Sequence, residues 1–269
     1  MAQDLNFSCT MCGKCCHDLN LSLTIDEAIE WIEDGGKVVV ACEATPWTRE
    51  PPSTDARAAH IKRRSFAATS GAANIRVTAL LIAVIAGRCR NLGADLKCKI
   101  YERRPLVCRI YPAEINPFTS LEPGAKSCPP EAWQSDKPLL SGGALVDRET
   151  SELIERSRRI DAADAPGKGR LCNALGIRAA SVKEEGFAIH DFDQRDLLDT
   201  LRKTKSDGGE DLGACDGWKL HTPWPSTFDR LRAVGIDAVS MTGANDTFKY
   251  VAIGAAPPSF SRGAPPNAN

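Results

Sequence analysis

The chain has 269 residues, 42% of them hydrophobic, with 34 Lys and Arg against 35 Asp and Glu and a formal net charge of −1. That length and apolar content can build one large core or two modest ones, and the balanced charge excludes a bulk electrostatic pull toward nucleic acid or anionic lipid. Eleven cysteines are only about four per cent of the residues, below the ~8–10% of a small secreted disulfide scaffold.

The first element is the run Cys9-Thr10-Met11-Cys12-Gly13-Lys14-Cys15-Cys16. Two-residue spacers let a tight turn aim successive thiolates at one point, as a tetrahedral zinc or an iron–sulfur cluster requires, and Gly13 lets the chain fold back without a Cβ penalty. The preceding Met1-Ala2-Gln3-Asp4 is acidic and is not followed by an apolar signal core, so a cytoplasmic location is expected. In a reducing compartment, clustered cysteines read as ligands before disulfides. Adjacent Cys15 and Cys16 can meet on one ion only through a compact turn; otherwise one of them reaches a second metal or bridges. His17 is a candidate ligand or a donor to one.

Thr24-Ile25-Asp26-Glu27 is a capping box opening a helix that ends at Gly35-Gly36. Residues 37–42 and 74–84 read as strands, and the intervening proline-rich, basic segment as a polar loop. The longest apolar run, residues 77–87, covers about half of the ~20 residues a membrane span needs. Cys89, Cys98, Cys108 and Cys128 then follow at wide spacings that define no site by themselves. Cys42, Cys172 and Cys215 lack partners in any motif and read as buried apolar side chains. Helices are expected over 149–160, over 191–201 with Asp191 as cap, and from Ser226 to Val234. Strands flanking residues 242–246 suggest a hairpin, and residues 257–269 a flexible tail. No GxSxG, Walker, GxGxxG or HExxH pattern occurs, so any catalysis has to come from a metal.

The segment Phe7 to Cys16 resembles the FxCxxCGxCC opening of the YkgJ-type zinc- or iron-chelating cysteine-cluster proteins. Cys98 to Pro112 is similar to that family's second signature, CxIYexRPxxCRxYP, through Cys98, Ile100, Tyr101, Glu102, Arg104, Pro105, Cys108, Arg109, Tyr111 and Pro112. The resemblance covers about residues 5–130. It implies metal binding by Cys9, Cys12, Cys15, Cys16, Cys89, Cys98, Cys108 and Cys128, with Arg104 and Arg109 able to donate to cluster sulfurs or to an anionic substrate. A related domain in flagellin lysine N-methylases is associated with an iron–sulfur cluster.

The expectation is therefore an α+β protein. Residues 1–130 form a small cysteine-rich metal-binding domain of helices and short strands, 131–256 a C-terminal α+β cap of helices and a hairpin, and 257–269 the tail. Its cofactor is expected to be an iron–sulfur cluster of the 4Fe-4S type, or alternatively zinc. With the cluster, it modifies a peptide or small metabolite by redox or group-transfer chemistry; with zinc, it is a non-catalytic structural, interaction or metal-delivery module. Its partners are a peptide, protein or small-molecule substrate, with neither nucleic acid nor membrane.

Overall fold

A computed structural model describes residues 4–206, 215–241 and 248–252. In chain order the elements are β1 (Leu5–Asn6), β2 (His17–Leu23), α1 (Ile25–Glu33), β3 (Val38–Pro46), α2 (Ala56–Arg63), β4 (Phe66–Ser70), β5 (Ala73–Arg88), α3 (Leu106–Ile110), β6 (Pro138–Ser141), β7 (Ala144–Leu145), α4 (Arg148–Ala174), β8 (Ala179–Val182), β9 (Gly186–His190), α5 (Gln194–Ser206), β10 (Lys219–Thr222), α6 (Pro225–Ala233), β11 (Ala238–Ser240) and β12 (Lys249–Ala252). Helices and mixed sheets make this an α+β fold, as the residue pattern implies. The chain forms two compact units. Among the described residues, one takes those through Leu21 and Val84–Arg159; the other takes Ser22–Ala83 and those from Ile160 to Ala252.

The second unit is organised around β3. Residues 38–44 are all buried, as befits a strand covered on both faces. It pairs antiparallel with β5 and β9 and, over Glu43 and Ala44, parallel with β8. β10 runs parallel between β8 and β11, β4 edges β5, and β12 lies on β9. The capping box is present: Thr24 Oγ1 accepts from Glu27 N at 3.1 Å, and Glu27 Oε2 accepts from Thr24 N at 3.0 Å. Asp164 on α4 adds a third acceptor, taking Ile25 N at 2.8 Å. Leu171, Leu197, Leu201, Trp218 and Leu220 are completely buried. Cys42, Cys172 and Cys215 lie in this core and belong to it as packing side chains. Contact with Cys172, then burial, pushes the Cys42 thiol up, so it stays protonated.

Several expectations change. The segment read as a loop contains α2, capped by Asp55 Oδ1 on Ala58 N at 2.9 Å, followed by β4. α4 runs on past Pro166 to Ala174, because Ala165, Leu171 and Cys172 are buried and packing overrides local propensity. Asp193, not Asp191, caps α5. Pro225 occupies the first position of α6, and Trp224 rather than Ser226 is its cap residue. β11 pairs with β10 and β12 with β9, so the expected hairpin between them does not form among the described residues; its turn and the 257–269 tail lie outside them. No described helix is long and apolar enough to cross a membrane.

His221 on β10 is buried against Phe248, ring centroids 4.6 Å apart. Burial, helped by Lys219 and His190, lowers its pKa from 6.5 to about 4. A depressed histidine pKa means that the unfolded chain binds the extra proton first, so stability is lost as pH falls from about 6.5 to about 4. The shift corresponds to at most about 3 kcal/mol and, after solvent screening, to about 2 kcal/mol. Urea midpoints should drop across that window in the native chain and much less in His221→Phe.

The first unit holds a small sheet in which β6 pairs with β1 and β7, with Leu140 opposite both Leu5 and Leu145. β2 alternates, with Leu19, Leu21 and Leu23 buried between more exposed residues, as one covered sheet face demands.

Candidate metal centre

The opening cysteines are fixed from before and behind. Beyond β1, Phe7 N donates to Lys137 O and Ser8 N to Ala132 O, both at 2.9 Å, and the Phe7 ring packs on Trp133 at 5.0 Å. Met11 N then donates to Cys9 Sγ at 3.4 Å. Gly13 takes φ 70° and starts a short 3-10 turn over Lys14–Cys16 closed by Cys16 N to Gly13 O at 2.9 Å. A Cβ on Gly13 would stand 3.0 Å from both Leu92 Cδ1 and Leu96 O. Gly13→Ala should therefore cost about 1–2 kcal/mol through the left-handed backbone alone, with more from the backbone contact, and lower metal content; thermal melting and metal analysis of the variant check this.

That turn answers the question raised by the adjacent cysteines. Cys15 Sγ and Cys16 Sγ lie 3.9 Å apart, and four sulfurs at 2.3 Å from a tetrahedral ion are separated by about 3.8 Å. The turn thus gives two neighbouring sulfurs a separation that one tetrahedral ion could span.

The later cysteines arrive where β2 and β5 end. Cys89 N donates to Cys16 O at 2.8 Å, and Gly87 N to Asp18 Oδ1 at 2.6 Å. A tight loop follows. Leu92 bridges Cys98, Lys99 N donates to Asn91 O, and Gly93 N donates to Lys97 O, both at 2.7 Å. Arg88 clamps it by donating to Leu92 O and Gly93 O. Cys108 rides on α3. At the end of that helix Tyr111 Oη accepts Ser127 N at 2.7 Å, and Lys126, its side chain 5% exposed, pairs with Glu114. Cys128 follows directly, two residues before the Pro130–Trp133 turn to which Ser8 is bonded.

Electrostatics report the convergence. The Cys16 thiol is pushed far up by its contact with Cys15, then by burial, then by the charges of Cys15, Cys89 and Cys108. Burial raises Cys89, with a further contribution from Cys98, against backbone hydrogen bonds and Arg90 that lower it. Sulfurs from both motifs therefore feel one another, and without a cation their simultaneous ionisation is opposed. A bound cation reverses that logic and deprotonates a coordinating thiol. The donor set consequently fits a thiophilic ion. Among the described residues, no three His, Cys, Asp or Glu side chains form a ready ligand group, so binding requires the thiols to close in.

Cys15 and Cys16 are in contact; Cys89 and Cys108 are close enough for their charges to act on Cys16, and Cys98 close enough to act on Cys89. Cys9 is exposed, Cys12 and Cys128 are partly exposed, and His17 is exposed. Arg104 turns its guanidinium over the Tyr101 ring at 3.7 Å and donates to Tyr101 O at 2.7 Å; Arg109 is partly exposed on α3. Sequence reasoning missed the supporting groups Arg88, Ser127, Lys126 and Glu114; Arg88 bonds carbonyls of its own loop, and the partners of the other three lie 12 to 16 residues away.

Residues 8–129 match the family model CxxCxxCC, described as "Putative zinc- or iron-chelating domain". No curated protein and no solved structure matches the chain. The protein is thus a cysteine-rich metal-binding protein, and its residues 8–129 match the same zinc- or iron-chelating CxxCxxCC domain that its two cysteine signatures resemble.

Proposed function

We propose that Cys9, Cys12, Cys15, Cys16, Cys89, Cys98, Cys108 and Cys128 supply the thiolates of the metal centre, and that Cys15 and Cys16 bind the same tetrahedral ion, zinc or iron. The observation carrying this is the 3.9 Å separation of those two sulfurs, which fits an edge of a tetrahedral thiolate site. A reducing, cytoplasmic setting goes with it, since exposed Cys9 and partly exposed Cys12 have to remain thiols until metal arrives. The domain then uses metal to organise loops that have little regular structure of their own, with binding energy serving as folding energy.

A second reading is an iron–sulfur centre of the 4Fe-4S type performing redox or group-transfer chemistry on a peptide or small metabolite. Eight thiols are twice the number one ion takes, and exposed Cys9 would suit an exchangeable ligand position. Arg104 and Arg109, both partly exposed, would hold an anionic substrate group there.

Anaerobic purification of the native protein followed by zinc, iron and acid-labile sulfide analysis separates the readings. The first expects zinc or iron without sulfide. Matched iron and sulfide with visible charge-transfer absorption replaces it with the second, and a metal-free protein that refuses both ions overturns both.

A further inference from the structure

Met11 and Leu96 are the two large apolar residues exposed beside the cysteine loops, at 45% and 48%. Both also occupy the left-handed backbone region, with φ 52° and 64°. That conformation opposes a side chain with a Cβ, and such strain concentrates at functional sites. Their loops meet at Gly13: Leu96 packs on Gly13, two residues beyond Met11, with its Cβ 3.4 Å from where a Gly13 Cβ would stand. The chain holds two hydrophobic side chains in solvent at positions that glycine would fill with less strain.

The surroundings are cationic. Between Arg88 and Arg109 there are seven Arg and Lys against two acidic residues, a net of +5 in a chain of formal charge −1. Lys14, Arg90, Lys97 and Lys99 are exposed and form no ion pair among the described residues. Their placement follows from the loop: Lys97 and Lys99 flank Cys98 where it bridges Leu92. Lys14 adjoins Gly13, and Arg90 adjoins Asn91, whose carbonyl accepts Lys99 N.

We propose that Met11 and Leu96, rimmed by Lys14, Arg90, Lys97 and Lys99, form a docking surface for an acidic protein. An apolar centre with a charged rim is the anatomy of a protein interface, in which methionine is enriched, and the rim charge would steer an oppositely charged partner. Nucleic acid is disfavoured because single-stranded bases need an aromatic platform, and the face of Tyr101 in this signature is covered by Arg104. The surface stands whichever ion the cysteines hold.

The test uses the full metal-loaded chain and a fluorescent 12-residue peptide, a central Leu-Phe pair flanked by Asp and Glu, read by anisotropy. The native chain should bind with an affinity that falls as salt rises. Leu96→Gly should weaken binding about tenfold or more while leaving metal content and melting temperature unchanged or higher, because glycine suits that backbone. Lys97→Glu with Lys99→Glu should weaken it comparably and flatten the salt dependence. Native-like binding by Leu96→Gly or by the double variant, no binding by the native chain, or tighter binding to a 12-nucleotide RNA or to phosphatidylserine vesicles would each overturn the proposal.

Discussion

Cys16→Ser is expected to lower metal affinity about 100-fold and to leave the chain largely metal-free after dialysis. Structural thiolate sites are worth about 10–16 kcal/mol in apparent binding energy. Divided over four ligands, that is roughly 3 kcal/mol for one sulfur, or about two decades. Cys16 is the strongest choice because it contacts Cys15 at 3.9 Å and senses Cys89 and Cys108 as well. Cys172→Ser is the matching control. It removes a thiol of equal chemistry buried in the core of the other unit, and should lower stability while leaving metal stoichiometry intact. Competition with a chromophoric chelator reads the first effect and denaturant unfolding the second. Equal affinity in Cys16→Ser and the native chain would remove Cys16 from the ligand set.

Much of the site's chemistry was legible because it is written locally. The CxxCGxCC run contains its own turn residue, and Gly13 has φ 70° as a left-handed turn needs. The capping box at Thr24 likewise became the start of α1. Legibility ends where pairing is distant. β3 joins β8 and β9 across about 140 residues, so Ser22–Ala83 groups with the chain beyond Ile160, and no local periodicity encodes that partnership. α4 shows the opposite failure. The helix expected to end at 160 continues through Pro166 and Gly167 to Ala174, and a Cβ on Gly167 would meet Ile25 Cδ1 at 2.9 Å. The glycine serves close packing there, not termination. Likewise, neither Met11 nor Leu96 announces its left-handed backbone, since only glycine and asparagine advertise that conformation.

Asp161→Asn is expected to destabilise the protein by about 3–5 kcal/mol, independently of metal. Asp161 lies on α4 and accepts from Lys168 Nζ at 2.7 Å, and Arg64 Nε stands 3.0 Å from its other oxygen. The Lys168 side chain is only 3% exposed. Burial alone would raise the Asp161 carboxyl, but Lys168 and Arg64 more than offset it and hold it below the usual carboxylate range. Neutralising Asp161 leaves a buried ammonium with Asp164 as its remaining carboxylate, and Asp164 is already committed to Ile25 N. Lys168→Met is milder because Asp161 keeps Arg64, and the double variant should recover most of the single Asp161 loss, since removing both charges leaves neither uncompensated. A depressed carboxyl stabilises above its unfolded pKa and loses that contribution only as pH falls below about 4. The Asp161 effect should therefore persist unchanged across the 6.5-to-4 window in which His221 acts. Urea midpoints measured at neutral pH and at about pH 4.5 distinguish the two: a loss in Asp161→Asn that vanished at the lower pH would show that the ion pair is not what holds Lys168.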